Sequence, residues 1–406
     1  MHLLFAWRYF KGKKSANAIN IISWVTTGVI AFATCCQILV LSVFNGFEGL
    51  VKSLYSSFYP DLKIVPSKGK TFLLTPAQIA LVNQQPFVQN SSMIAEEKAI
   101  LKNDDSQTGV SIKGVDDNFS KVSGVPNSLT KGKFNTGTTD HPLIIVGTGI
   151  QNAVGLTLND AFAPEQLTVI LPKKNVQGND ILQSVSEGNV TASAVFAIQQ
   201  EFDNNYAISN IGFVKQQMGL GADEYTAAEI RLKYGTNITE SQQSLQKLLG
   251  NNYSVQTKYQ QNSNLYNTMR LEKWAIYAVL TLILIIAAFN MVSALTMLVL
   301  EKKQDIAILQ SMGSSGSQIR KIFMSEGFLL AGIGAAAGII LATIICLLQL
   351  KFKLIKLQGG SFLIDYFPVK LIATDFLLVA GTSMAIALLA SWFPAFKASQ
   401  QPLELR

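Results

Sequence analysis

The chain has 406 residues, 33 Lys and Arg against 26 Asp and Glu, a net charge of +7, and 49% hydrophobic residues. Two histidines and three cysteines are too few to build a histidine-based metal site or a disulfide framework. Nor is the charge that of a nucleic-acid surface, since residues 45–270 carry 18 basic against 19 acidic side chains and the basic excess falls on the apolar remainder.

Four long apolar stretches, one near the start and three close together after a polar gap, predict a membrane protein. The expected fold is four transmembrane α-helices with a large α+β extracytoplasmic domain inserted between helices 1 and 2. In residues 1–20, Leu3, Ala6, Trp7 and Phe10 recur at spacings of three and four, with Arg8 and Lys11 toward the other side. That pattern predicts a cytoplasmic, interfacial amphipathic helix. The first span, Ile21 to Phe44, is too long for the apolar core of a signal peptide and is read as retained.

Beyond that span, Phe44, Phe47, Val51, Leu54 and Phe58 keep helical spacing, so residues 21–58 are expected to form one helix that stops at Tyr59-Pro60. At 1.5 Å per residue it would be roughly 57 Å long, leaving some 25 Å outside the hydrocarbon. Leu265 and Met269, ahead of the second span, are expected to pack on it. Such a two-helix stalk would be stiff enough to convey force.

Residues 59–258 read as the α+β domain. Strands are expected at Leu62–Val65, Gly109–Val115, Leu143–Val146, Leu167–Leu171, Ala192–Ile198, Thr226–Tyr234 and Tyr253–Lys258, with helices at Pro76–Asn83, Ile211–Met218 and Thr239–Leu249, the last capped by Thr239. The alternation suggests two subdomains that divide after Val115 and rejoin near Ala222.

Residues 259–300 return through the stalk into the second span, Trp274 to Leu300. Residues 322–396 hold the third span, Ile322 to Leu350, a short outer loop, and the fourth, Leu371 to Phe396; residues 397–406 are a tail. Arg8, Lys11, Lys13, Lys14, Lys302, Lys303, Arg320, Lys321, Lys397 and Arg406 outnumber the Lys351, Lys353, Lys356 and Lys370 of the outer loop, which places both termini in the cytoplasm. In the third span Gly327, Gly332, Gly334 and Gly338 permit close helix approach, and Asn290 in the second is expected to hydrogen-bond another helix.

Residues 301–321 form a short cytoplasmic segment. Glu301 and Asp305 fall in a first helical turn, Ile308 and Met312 lie four apart, and Gly313 can close the helix in the left-handed conformation. An apolar ridge on a helix with no core of its own calls for a groove on a partner. The chain is not expected to hydrolyse ATP through a phosphate loop, because Gly313-Ser-Ser-Gly316 lacks the lysine that would reach the phosphates. With no nucleophile elbow, no paired carboxylates in a motif setting and no CxxC, the chain is expected to have no catalytic residue, metal site or bound cofactor.

Three blocks carry a resemblance: Phe5 to Lys14, Leu41-Ser-Val-Phe-Asn-Gly-Phe-Glu48, and Ala287 to Lys302 running into Asp305-Ile-Ala-Ile-Leu309 and Ser311-Met-Gly313, with Asn264 to Lys273 beside them. In this order they resemble the LolC/LolE family, the membrane subunits of the lipoprotein-releasing ABC system within the MacB/FtsX type of permease. The resemblance implies a bacterial inner-membrane location, a second copy or homologous permease subunit, and a separate ABC ATPase that uses the ATP. Glu301, Lys302, Asp305, Ile308, Leu309, Met312 and Gly313 would then form the ATPase-coupling segment. Lipoprotein substrate, a periplasmic lipoprotein carrier and membrane lipids are the other implied partners, with Phe44 and Phe47 lining the lipoprotein cavity. The same architecture also serves MacB-like export mechanotransmitters, which carry their ATPase on the same chain, and FtsX-like scaffolds that regulate a cell-wall hydrolase.

Overall fold

The computed structural model describes residues 17–158, 165–174, 184–357 and 366–400. The expected amphipathic helix at residues 1–16 and the end of the tail, 401–406, lie outside the described residues. The chain divides into two compact units, one of residues 1–50 and 267–406 and the other of Val51–Tyr266.

In the first unit, four helices are long and apolar enough to cross a membrane: Asn17–Phe58, Ser263–Glu301, Gly316–Phe352 and Ala373–Ser399. The first is a single element of 42 residues, about 63 Å at 1.5 Å per residue, ending two residues before Pro60. Its continuation past Leu50 and the start of the second helix at Ser263 belong to the other unit.

Glycines set the packing of the first helix on the third. A Cβ at Gly338 would stand 2.3 Å from the Ala31 carbonyl oxygen and one at Gly334 2.8 Å from that of Thr27, so only glycine admits this approach. Gly327 meets Ser391 of the fourth helix, where a Cβ would come within 2.5 Å. Gly332, by contrast, has ordinary room. Asn290 is turned outward, and so the interhelical bond expected of it is not made within the described residues.

The inserted unit is built on twelve strands: β1 (Leu62–Pro66), β2 (Phe72–Leu73), β3 (Val88–Asn103), β4 (Ser106–Val115), β5 (Leu129–Gly132), β6 (Leu143–Gly147), β7 (Gln166–Pro172), β8 (Val185–Phe196), β9 (Tyr206–Asn210), β10 (Glu224–Tyr225), β11 (Ala227–Leu232) and β12 (Tyr253–Thr257) among the described residues. Ten of them form one sheet in the order β12-β1-β11-β3-β4-β9-β6-β8-β5, with β7 bridging β3 and β8. The bridge closes β3, β4, β9, β6, β8 and β7 into a barrel. Alternate residues of these strands, among them Ala99, Leu101, Ile112, Ile144, Val146, Val169 and Val190, share one core with Phe213 and Val214 of the helix Ile211–Met218.

The two expected subdomains therefore share one sheet, because β3 is long enough to serve both. Its first half pairs with β11 and its second with β7, while β4 runs along its length beyond Ile94. The β12-β1-β11 wing is covered by the helices Pro76–Asn83 and Ile238–Leu249 over a second core of Leu62, Ile64, Ile230, Leu245 and Val255. The cap of the latter helix is Asn237, not Thr239: its side chain accepts from the backbone N–H of Thr239 at 3.1 Å and of Glu240 at 3.5 Å.

Candidate functional site

The segment expected to meet an ATPase folds as an elbow. The second long helix ends at Glu301, Lys302 is non-helical, and a separate short helix runs Lys303–Ser311. Glu301 thus closes the preceding helix and does not open the short one; only Asp305 stands in its first turn. Lys302 pairs with Asp305 at 3.1 Å. Gly313, at φ +91°, reverses the chain, and the Ser314 N–H donates to the Leu309 carbonyl at 2.9 Å.

Ser315 starts the third long helix with a reciprocal cap, its hydroxyl accepting from Gln318 N–H while the Gln318 side chain accepts from its backbone. Ser-x-x-Gln could have been read from sequence as that helix start.

One apolar residue pegs the short helix in place. Ile306 is 2% exposed and packs with Leu298, Ile319, Phe323, Ala395 and Ala398. Ile308 and Met312 are 56% and 79% exposed, and Leu309 is half-buried. The ridge expected from spacing is therefore present and uncovered, while the residue that holds the helix is one the spacing did not single out.

A second constellation gathers where the first, second and fourth helices meet. Lys273 donates to Asn45 Oδ1 at 2.9 Å and to both Asp375 oxygens at 3.0 Å, and Asn45 Nδ2 donates to Asp375 at 2.6 Å. Asn45 is 2% exposed. A charge-assisted triangle of this kind ties three helices together, and sequence reading missed it. The signal was there: Asn45 and Lys273 lie inside the two motifs already noted, and Asp375 interrupts the start of an apolar run.

Beside the triangle lies a cavity of about 210 Å³ lined by Leu41, Lys273, Trp274, Tyr277, Thr374, Asp375 and Leu378. Neither Phe44 nor Phe47 lines it. Both are half-buried, and Phe47 meets Phe367 edge-on at 5.8 Å, while Lys370 N–H donates to the Ser42 carbonyl at 2.9 Å. Gly46 makes this contact possible, since a Cβ there would overlap the Pro368 backbone at 2.2 Å.

Within the inserted unit, the last turns of the first helix are socketed in the sheet. Phe58 is 1% exposed, stacked on Phe202 at 4.3 Å and tilted against Tyr206 at 4.6 Å. Tyr55 donates to Glu201, and Gly124 N–H donates to the Ser57 carbonyl at 2.9 Å. Beneath Phe58 the Lys113 ammonium lies 5.0 Å from its ring centre and 2.6 Å from Glu229, both charges almost wholly buried.

The register explains this cluster. Lys63 on β1 faces Glu229 on β11, and Glu96 on β3 faces Lys113 on β4, so two opposite-charge pairs lie across four neighbouring strands in the order Lys, Glu, Glu, Lys. Burial pushes the Glu96 carboxyl up, but Lys63 and Lys113 together outweigh it and hold it below the usual carboxylate range. Val51 and Leu265 pack against the same aromatic core, joining the outgoing and returning chain segments.

The four spans, the elbow and the inserted barrel define a multi-pass membrane protein whose large extramembrane domain lies between its first two spans. Residues 277–403 match the FtsX-like permease C-terminal family. Over its full length the chain is similar to the lipoprotein-releasing system transmembrane protein LolC of Neisseria meningitidis serogroup B, at 27% identity over 100% of this chain and 99% of that one. It is also similar to LolE of Haemophilus influenzae, at 25% identity over 98% and 97%. The inserted domain aligns with the periplasmic region of MacB from Actinobacillus actinomycetemcomitans, at 13% identity and a TM-score of 0.38 over 54% of this chain and 98% of that one. The chain thus carries the FtsX-like permease pattern over residues 277–403 and is similar from end to end to LolC and LolE, the membrane proteins of a lipoprotein-releasing system.

Proposed function

We propose that this permease works with a separate ABC ATPase to draw lipoproteins out of the bacterial inner membrane and pass them to a periplasmic carrier, both chain termini being cytoplasmic. The observation that carries the reading is the end-to-end likeness to proteins named for lipoprotein release. The exposed Ile308 and Met312 support it, because an uncovered apolar ridge on a helix pegged by Ile306 suits a groove on an ATPase. The aromatic socket around Phe58 supports it too: a helix that runs unbroken from Asn17 and ends in a packed joint can transmit displacement. In this scheme a second permease subunit, either another copy or a homologue, completes the cavity. The Phe44 and Phe47 face, stiffened by Phe367, is the wall against which acyl chains rest before release.

Two measurements on the full assembly test the reading. Ile308→Asp with Met312→Asp should abolish co-purification of the ATPase while leaving membrane insertion intact; recovery of the ATPase at wild-type yield would sink the coupling assignment. A photocrosslinking residue at Phe47 should capture lipoprotein without ATP, and less once ATP and carrier are added. Capture of phospholipid alone, unchanged by ATP, would point to a scaffold or an adaptor-driving protein.

A further inference from the structure

Glu326 is the buried ionisable group that the proposed function leaves unused. It stands on the third helix, 4% exposed, and its Oε2 has no hydrogen-bond partner among the described residues. The adjoining Gly327 is pressed against Leu295 of the second helix and Ser391 of the fourth, so the carboxyl lies on a closely packed stretch of the bundle. A carboxylate held there without a cation is strongly disfavoured, and an ionisable residue among packed spans normally has a partner in some state of the protein.

A cationic residue adjoins this stretch of the third helix: Leu298 and Ile306, four residues to either side of Lys302, share a core with Phe323. Lys302 is also the pivot of the elbow, the single residue between the helices ending at Glu301 and beginning at Lys303. In this structure its ammonium is held by Asp305, in a pair 31% and 43% exposed. Ile306 anchors the short helix in the same core as Phe323, one turn before Glu326. A tilt of the short helix about Lys302 therefore redirects the lysine relative to a waiting carboxylate.

We infer that Glu326 is the second charge partner of Lys302, so that the elbow has two positions: Lys302 on Asp305 at the surface, or Lys302 on Glu326 inside the bundle. Glu326 is thus a positioning residue that registers movement of the coupling segment in the spans. The inference rests on the reading of residues 303–312 as the surface that meets an ATPase. An exposed pair is weak and readily surrendered, whereas a buried one holds, so a push on the short helix suffices to shift the lysine.

The test uses the full chain with its ATPase in proteoliposomes, reading ATPase retention, hydrolysis rate and lipoprotein released per ATP. Glu326→Gln should retain the ATPase, and Glu326→Gln and Lys302→Met should each lower release per ATP by about tenfold, within the usual range of coupling between linked sites. The double variant should be no worse than either single one, and Lys302→Arg should restore the ratio. Because Glu326→Gln replaces a buried carboxyl that has no cation beside it with a neutral group of the same shape, its thermal stability should equal or exceed that of the wild type. Additive losses in the double variant, or wild-type release per ATP in Glu326→Gln, would overturn the pairing while leaving the coupling reading intact. Failure of the wild-type chain to retain any ATPase would overturn both.

Discussion

Glu229 and Glu326 are each almost wholly buried, one in each unit, and the protein treats them oppositely. Glu229 meets Lys113 at 2.6 Å through one of its oxygens beneath the socketed Phe58, whereas Glu326 makes no ion pair among the described residues. The difference teaches where the molecule is fixed and where it can change. A paired buried charge locks one arrangement, since separating it leaves two uncompensated ions; an unpaired one marks a place where another arrangement can be stabilised.

The largest effect should come from breaking the locked side. Lys113→Met strands Glu229 in the core and should destabilise the inserted domain by about 3–5 kcal/mol, while Lys113→Met with Glu229→Met should recover most of the loss. Thermal unfolding of the full chain in detergent would check this; a single variant as stable as the wild type would dissolve the contrast between the two carboxylates. Next in size, Gly338→Val should force the first and third helices apart, because its Cβ would lie 2.3 Å from the Ala31 carbonyl. A cost of about 1–3 kcal/mol is expected, as for other overpacked sites, read as a lowered melting temperature with the inserted domain still protease-resistant.

The smallest effect is a pH dependence confined to the paired region. Glu96 is held below its ordinary value of 4.5, so its contribution to stability is complete above that pH and is lost as the pH falls through the lower folded value. Glu96→Gln should flatten the acid limb of the stability curve and leave the neutral region nearly unchanged. An unaltered acid limb would remove Glu96 from the charged row.

Much of the membrane unit was legible because hydrocarbon imposes a length and a composition that single residues cannot disguise. The stripe ending at Phe58 also marked where the first helix stops, since proline at position 60 has no N–H to continue it. The longest strand escaped notice: Val88–Asn103 contains Ala-Glu-Glu-Lys-Ala, good helix formers, and its burial changes face as its partners change. Glu96 reads as surface in sequence, yet the register sets it opposite Lys113. In the elbow, spacing found the exposed Ile308 and Met312 but not the buried Ile306, because one anchoring residue makes no period.

Apolar run length, charge distribution and motif order, all local properties, determined from sequence alone that the chain crosses a membrane four times around a large insert, and pointed to its family. Tertiary structure decided what depends on residues far apart in the chain. The long β3 joined two expected subdomains in one sheet, part of which the β7 bridge closes into a barrel, strand register built a buried charge row, and helix packing joined Asn45, Lys273 and Asp375 while leaving Glu326 unpaired. Such pairings are fixed only when burial removes water as the competing partner, and burial is a property of the assembled fold.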